Sequence, residues 1–156
     1  TYYHPKYGWD RPTFTYLAAS GVLRRLVGIG TNGSWVVVGL ASAAQVRLHP
    51  SAMADDFVQK HMRGYVDGPR TLFHPLAEVL DPATSPGRRR GQLVSVMEFL
   101  AEMEPEGFTR FWKRLKVLET PVADAARDEL LAALETDIET LEQDWIDWGY
   151  EWMPER

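Results

Sequence analysis

This sequence predicts a mainly α domain: several helices preceded by a short extended N-terminal segment. Three observations lead there. Apolar residues recur at steps of three and four along most of the chain, the spacing of one helical face. Helix start and stop signals separate these stretches at short intervals. The 156 residues suffice for one domain with a proper core and hardly for two.

The elements follow in order. Residues 1–13, rich in aromatics, Pro and Gly, read as an extended arm or short strand. Asp10 and Pro12 then open a helix in which Phe14, Leu17, Gly21 and Val22 share a face. Arg24 and Arg25 fall in its last turn, where cations suit the helix dipole. Gly28–Gly33 is a turn by composition, after which Ser34 can cap a helix over Trp35–Leu48. Val36-Val37-Val38 prefers strand by propensity and competes with that assignment. The pair of hydrophobic segments, joined by so short a turn, must pack together, and the later helices surround them.

Ser51 can cap a further helix to about Arg63, followed by a loop over Gly64–Pro75 and one or two turns at Leu76–Leu80. A second loop covers Asp81–Gly87. Arg88–Glu104 is an amphipathic helix with Leu93, Val96, Met97 and Leu100 on one face. Pro105-Glu-Gly107 should break it, and Phe108–Leu118 continues as a helix with Phe108, Phe111, Trp112 and Leu115 inward. Thr120-Pro121 starts another helix to about Leu134. The last one opens on a capping box, Thr136 with Glu139, and carries the stripe Ile138, Leu141, Trp145, Trp148, Trp152.

Composition excludes several classes. Without cysteine there are no disulfides and no thiolate metal sites. No apolar run reaches the eighteen or so residues of a membrane span. The net charge of −5 is uneven: Pro121–Arg156 holds eleven acids and two bases, whereas the first 120 residues hold eleven acids and fifteen bases. A negative total argues against nucleic acid as a partner, while such polarity suits a protein partner or a second copy of the chain. Six Trp residues add to the expectation of a contact surface, since large aromatics are enriched at interfaces. The chain opens at Thr1 rather than Met, which reads as a processed product or a fragment.

The arrangement resembles the C-terminal part of gluzincin-type (DUF1570-like) zinc metallopeptidases. The carrying residues are Tyr2-Tyr3-His4-Pro5, the helix through Ala19–Leu23, the segment Trp35-Val-Val-Val-Gly-Leu-Ala41, and a helical tail with Pro105-Glu-Gly-Phe108, Phe111-Trp112 and Leu134–Trp145. Such domains carry HExxH on the first helix and W-x-x-E-G-L-A on the second. Mapped onto this chain, the two histidine positions hold Ala19 and Leu23, the general-base glutamate position holds Ser20, and the third-ligand position holds Val38. Zinc needs imidazole nitrogen or carboxylate oxygen at about 2 Å, and Ala, Leu and Val have no lone pair to give. Without metal-activated water, Ser20 cannot replace a carboxylate base unless another base activates it. The resemblance therefore implies an inactive homologue, with no cofactor and no metal, and leans toward a location outside the cytoplasm.

Two rival chemistries remain in the residues. Gly28-x-Gly-x-x-Gly33 has the dinucleotide-binding fingerprint, which requires Val22–Val27 and Gln45–Leu48 to be strands around a helix at Ser34–Ala44. A metal hydrolase with displaced ligands would draw on His4, His49, His61 and His74, no two of which stand at i, i+4. The favoured reading is a binding or structural subunit. Its expected contact residues are the end aromatics Tyr2, Tyr3, Trp148 and Trp152, with the run Arg88-Arg89-Arg90, because aromatics and Arg anchor interfaces. A plain solvated charge run is the default reading of Arg88-Arg89-Arg90.

Overall fold

The computed structural model describes residues 3–4, 8–9, 11–27, 34–49, 74–83, 89–118 and 122–152. They form a mainly α structure. Ahead of the helices, the two-residue strands β1 (Tyr3–His4) and β2 (Gly8–Trp9) pair antiparallel, with Tyr3 opposite Trp9. The arm is thus a minimal hairpin. Seven described helices follow: α1 (Arg11–Val27), α2 (Trp35–Leu48), α3 (Leu76–Val79), α4 (Arg90–Met103), α5 (Pro105–Leu115), α6 (Val122–Leu134) and α7 (Ile138–Trp152). The turn Gly28–Gly33, the helix expected over Ser51–Arg63 and most of the loops Gly64–Pro75 and Asp81–Gly87 lie outside the described residues.

The core is built around α2 and α4, which pack on each other. Trp35 through Gly39 are buried without a break, as are Gly91 through Met97. A helix apolar on every side is a central helix, and that burial settles the conflict at Val36–Val38. Their β-branched side chains disfavour a helix by only tenths of a kcal/mol each, whereas burying a Val side chain contributes about 1.5 kcal/mol or more. The triplet is helical. Where α2 crosses α4, a Cβ on Gly39 would stand 3.0 Å from both Cγ and Cε of buried Met97. The missing side chain sets that approach.

Aromatic residues close one side of this core. Trp35 stacks on Phe111 of α5 with ring centroids 6.1 Å apart, and Phe108 and Trp112 extend the cluster. Pro105 does not leave a break of several residues. It occupies the first position of α5, where its missing N–H is no loss, so the helix begins three residues before the expected Phe108. Helix α6 then lies against α5, where Arg110 Nε donates to the Ala133 carbonyl at 3.0 Å and Arg114 Nε meets Glu129 at 2.5 Å.

Two expected caps are corrected. Ser34 precedes α2 but its hydroxyl makes no capping bond, and that buried oxygen has no hydrogen-bond partner among the described residues. At α7 the cap is Asp137 rather than Thr136: Asp137 Oδ1 accepts from the Thr140 N–H at 2.8 Å. Thr136 is engaged by the preceding helix, its N–H reaching back to the Leu131 carbonyl at 3.2 Å across Glu135, which takes a left-handed φ of 58°. That geometry ends α6 and leaves Asp137 free to start α7. The apolar stripe of α7 faces inward as spaced, with Leu141, Trp145 and Trp148 all buried.

Candidate functional site

The pair α1 and α2 makes the most extensive packing in the described chain. Thr15 Oγ1 and His49 Nε2 lie 2.7 Å apart, tying the start of α1 to the end of α2, so the two helices run antiparallel. On a 3.6-residue helix the positions Tyr16, Ser20, Leu23 and Arg24 share one side, and all four are buried or half-buried. This inner side is more polar than a core helix requires. The Ser20 hydroxyl and Arg24 Nε are buried with no hydrogen-bond partner among the described residues.

Arg90 enters the same seam from the first turn of α4. Its Nε donates to Ser42 Oγ at 2.6 Å, a second guanidinium nitrogen donates to Gln45 Oε1, and the Tyr16 ring lies 4.3 Å from its central carbon. Burial lowers the guanidinium from its usual arginine value, and the neighbouring Tyr16 opposes that effect. Arginine stays protonated over any ordinary pH range, so the seam holds a permanent cation bonded to neutral oxygens and an aromatic face. Toward the open end of α2, Arg47 and Glu98 of α4 form a bidentate pair, Nε to Oε1 at 2.9 Å and a second nitrogen to Oε2 at 2.5 Å. The bond to Glu98 raises the Arg47 pKa further.

The positions expected to be vacant motif sites fall on these two helices. Ser20 and Val38 are buried, Leu23 packs against the core and Ala19 is half-buried. Among the described residues no three of His, Cys, Asp and Glu come together as metal ligands would. His49 is engaged with Thr15, and His74 lies 3.5 Å from Glu78. The His4 side chain and all of His61 lie outside the described residues. The glycine fingerprint itself also lies outside them, yet its flanks are described: Val22–Val27 completes α1 and Gln45–Leu48 completes α2. Neither is the strand that a dinucleotide unit needs.

The expected contact residues are redistributed. Trp148 is not an exposed end aromatic; it is 6% exposed and its ring meets Phe99 at 5.8 Å. Arg89 and Arg90 are not a free cationic run. Arg89 bonds the carbonyl and carboxylate of Glu78, fixing α3 to the start of α4, and Arg90 fills the seam. Tyr2, Arg88 and the side chains of Tyr3 and Trp152 lie outside the described residues. The surface that sequence reasoning missed is the outer side of α1, where Phe14, Leu17, Val22 and Leu26 are each about half exposed or more. Phe14, Leu17, Gly21 and Val22 were legible as one face, but the polar character of the opposite side was the unread signal that the seam would use Tyr16, Ser20 and Arg24. No helix of the described residues is long and apolar enough to cross a membrane. Compared with known proteins, the chain matches no family model, no curated protein and no solved structure.

Proposed function

We infer that this chain is a non-catalytic, peptidase-like helical domain that serves as a binding or structural subunit of a larger protein assembly. The observation that carries the reading is the packing of α1 against α2. At the four positions where the resembled family holds its zinc ligands and general base, Ala19, Leu23 and Val38 offer no lone pair and Ser20 offers a hydroxyl in place of a carboxylate. A buried Val or Leu side chain contributes about 1.5–3 kcal/mol there, so these residues maintain the frame that ligands would otherwise organise. The exposed apolar side of α1 supplies the contact surface that a subunit requires.

Elemental analysis of the purified chain tests this reading together with a peptidase assay on an unstructured protein substrate. The expected result is far less than one equivalent of zinc or any other transition metal, and no hydrolysis with or without added zinc. One equivalent of bound metal, or metal-dependent cleavage, would overturn it.

A further inference from the structure

Ser20 Oγ, Arg24 Nε and Ser34 Oγ, all on the α1–α2 pair, are buried with no hydrogen-bond partner among the described residues. Ser20 is 5% exposed and Ser34 3%. A buried polar group left unpaired costs about 1–3 kcal/mol, so a native chain holds few of them. Each of these three atoms carries a hydrogen to donate. Their common want is an acceptor.

Topology gathers them at one end of the hairpin. Thr15 and His49 meet at the other end, so the last turn of α1, which holds Arg24, lies beside the first turn of α2. Ser20 stands one turn before Arg24 on the same inner side of α1. Ser34 precedes α2 in the extended backbone of a cap residue, with φ −60° and ψ 128°, yet its hydroxyl makes no capping bond. The Val38 N–H reaches the Ser34 carbonyl at 3.1 Å, and the N–H groups ahead of it, on Trp35, Val36 and Val37, are those a helix start leaves without an intrahelical acceptor. The positive pole of a 14-residue helix therefore faces the same place.

We propose that this end of the hairpin binds a phosphoryl group, as inorganic phosphate or as a phosphate ester. Its donors are the first-turn N–H groups of α2, the hydroxyls of Ser20 and Ser34, and Nε of Arg24. A carboxylate offers roughly four lone-pair sites, fewer than these donors, whereas the strongly accepting oxygens of a phosphoryl group take them all. No acidic residue occurs from Arg11 to Leu48, so neither helix supplies the anion itself. Arg24 keeps its charge over any ordinary pH range, and a helix start joined by an arginine is the combination that favours phosphate. The other cation of the seam, Arg90, is already bonded to Ser42 and Gln45 and lies outside the site. Binding there needs no catalysis, so the site stands whether or not the chain is a subunit.

Calorimetric titration of the full chain with inorganic phosphate, against sodium chloride of equal ionic strength, is the test. One equivalent should bind saturably with a dissociation constant below about 1 mM, and the thermal midpoint should rise with phosphate as that constant requires. Arg24→Met, which keeps most of the stem, should weaken binding at least about tenfold with an unchanged circular dichroism spectrum. Ser20→Ala and Ser34→Ala should each weaken it about threefold or more. Neither should lower the midpoint of the phosphate-free protein, because neither hydroxyl has a partner to lose. If the hydroxyls serve the fold alone, through bridging water or by capping α2, the alanines lower that midpoint and leave phosphate binding unchanged. That result, no saturable binding up to about 10 mM phosphate, or acetate binding as tightly as phosphate would overturn the proposal. Methyl phosphate separates the two sources: binding as tight as that of inorganic phosphate upholds the site as one for an ester, and weaker binding upholds it as one for the free ion.

Discussion

Glu135 holds a left-handed backbone with φ 58° at the end of α6. A residue with a Cβ gives up about 1 kcal/mol there, and glycine is the usual occupant of this position. Glu135→Gly should therefore raise stability by about 0.5–1 kcal/mol, its gain partly offset by the freer unfolded chain, as read from the urea midpoint. Two residues on, Asp137 caps α7. Its pKa is lowered, first by the hydrogen bond from the Thr140 backbone and then by the Thr140 side chain. A depressed carboxylate stabilises the folded state fully above its unfolded value, near pH 4, and loses that contribution as pH falls through the folded value. The stability difference between wild type and Asp137→Asn should accordingly be constant from pH 8 to about pH 5 and shrink on further acidification. A difference that stays level down to pH 2 would mean that the carboxylate charge takes no part in the cap.

At the scale of elements, the α2–α4 crossing depends on the absence of a side chain at Gly39. Alanine there gains about 0.5–1 kcal/mol of helix propensity but drives a methyl group into Met97, whose Cγ and Cε both stand 3.0 Å from the added atom. Met97 is buried, and because Cγ is close to its backbone a terminal rotation cannot clear the contact. Overpacking costs about 1–3 kcal/mol, so Gly39→Ala should destabilise by about 1 kcal/mol. In a Met97→Ala background, itself about 2–5 kcal/mol less stable, the same change should become stabilising. A double-mutant cycle with no coupling would refute the packing account. This crossing also marks how far the sequence could be read. Periodicity located α4, α6 and α7 and the inward faces of α5 and α7, because each buries one stripe. It gave no stripe for α2, which is buried from Trp35 to Gly39 and whose helix the preceding turn and His49-Pro50 marked instead, nor did it give the sense of α1. It misplaced the caps too: Asp137 and Thr136 are both good capping residues, and the tertiary course of α6 into Glu135 chose between them. Arg90 read as part of a surface run because its neighbours Ser42, Gln45 and Tyr16 are 45 or more residues distant in sequence.

Over the whole molecule, charge is segregated. The last 36 residues carry a net −9, with eleven acids and two bases, and α6 and α7 lie within them; the stretch from Arg11 to Leu48 carries four arginines and no acid. This polarity admits one electrostatic mode of self-association. Head-to-tail contact would set the arginine-bearing hairpin of one copy against the acidic helices of the next, a heterologous contact that propagates unless it closes into a ring. Its attraction would be screened as the Debye length falls from about 10 Å at 0.1 M salt to about 3 Å at 1 M. Any oligomer held by this contact should therefore dissociate as sodium chloride rises from 0.05 to 1 M, as read by sedimentation equilibrium. An oligomer that persists unchanged across that range would show that the charged ends of the molecule take no part in holding it.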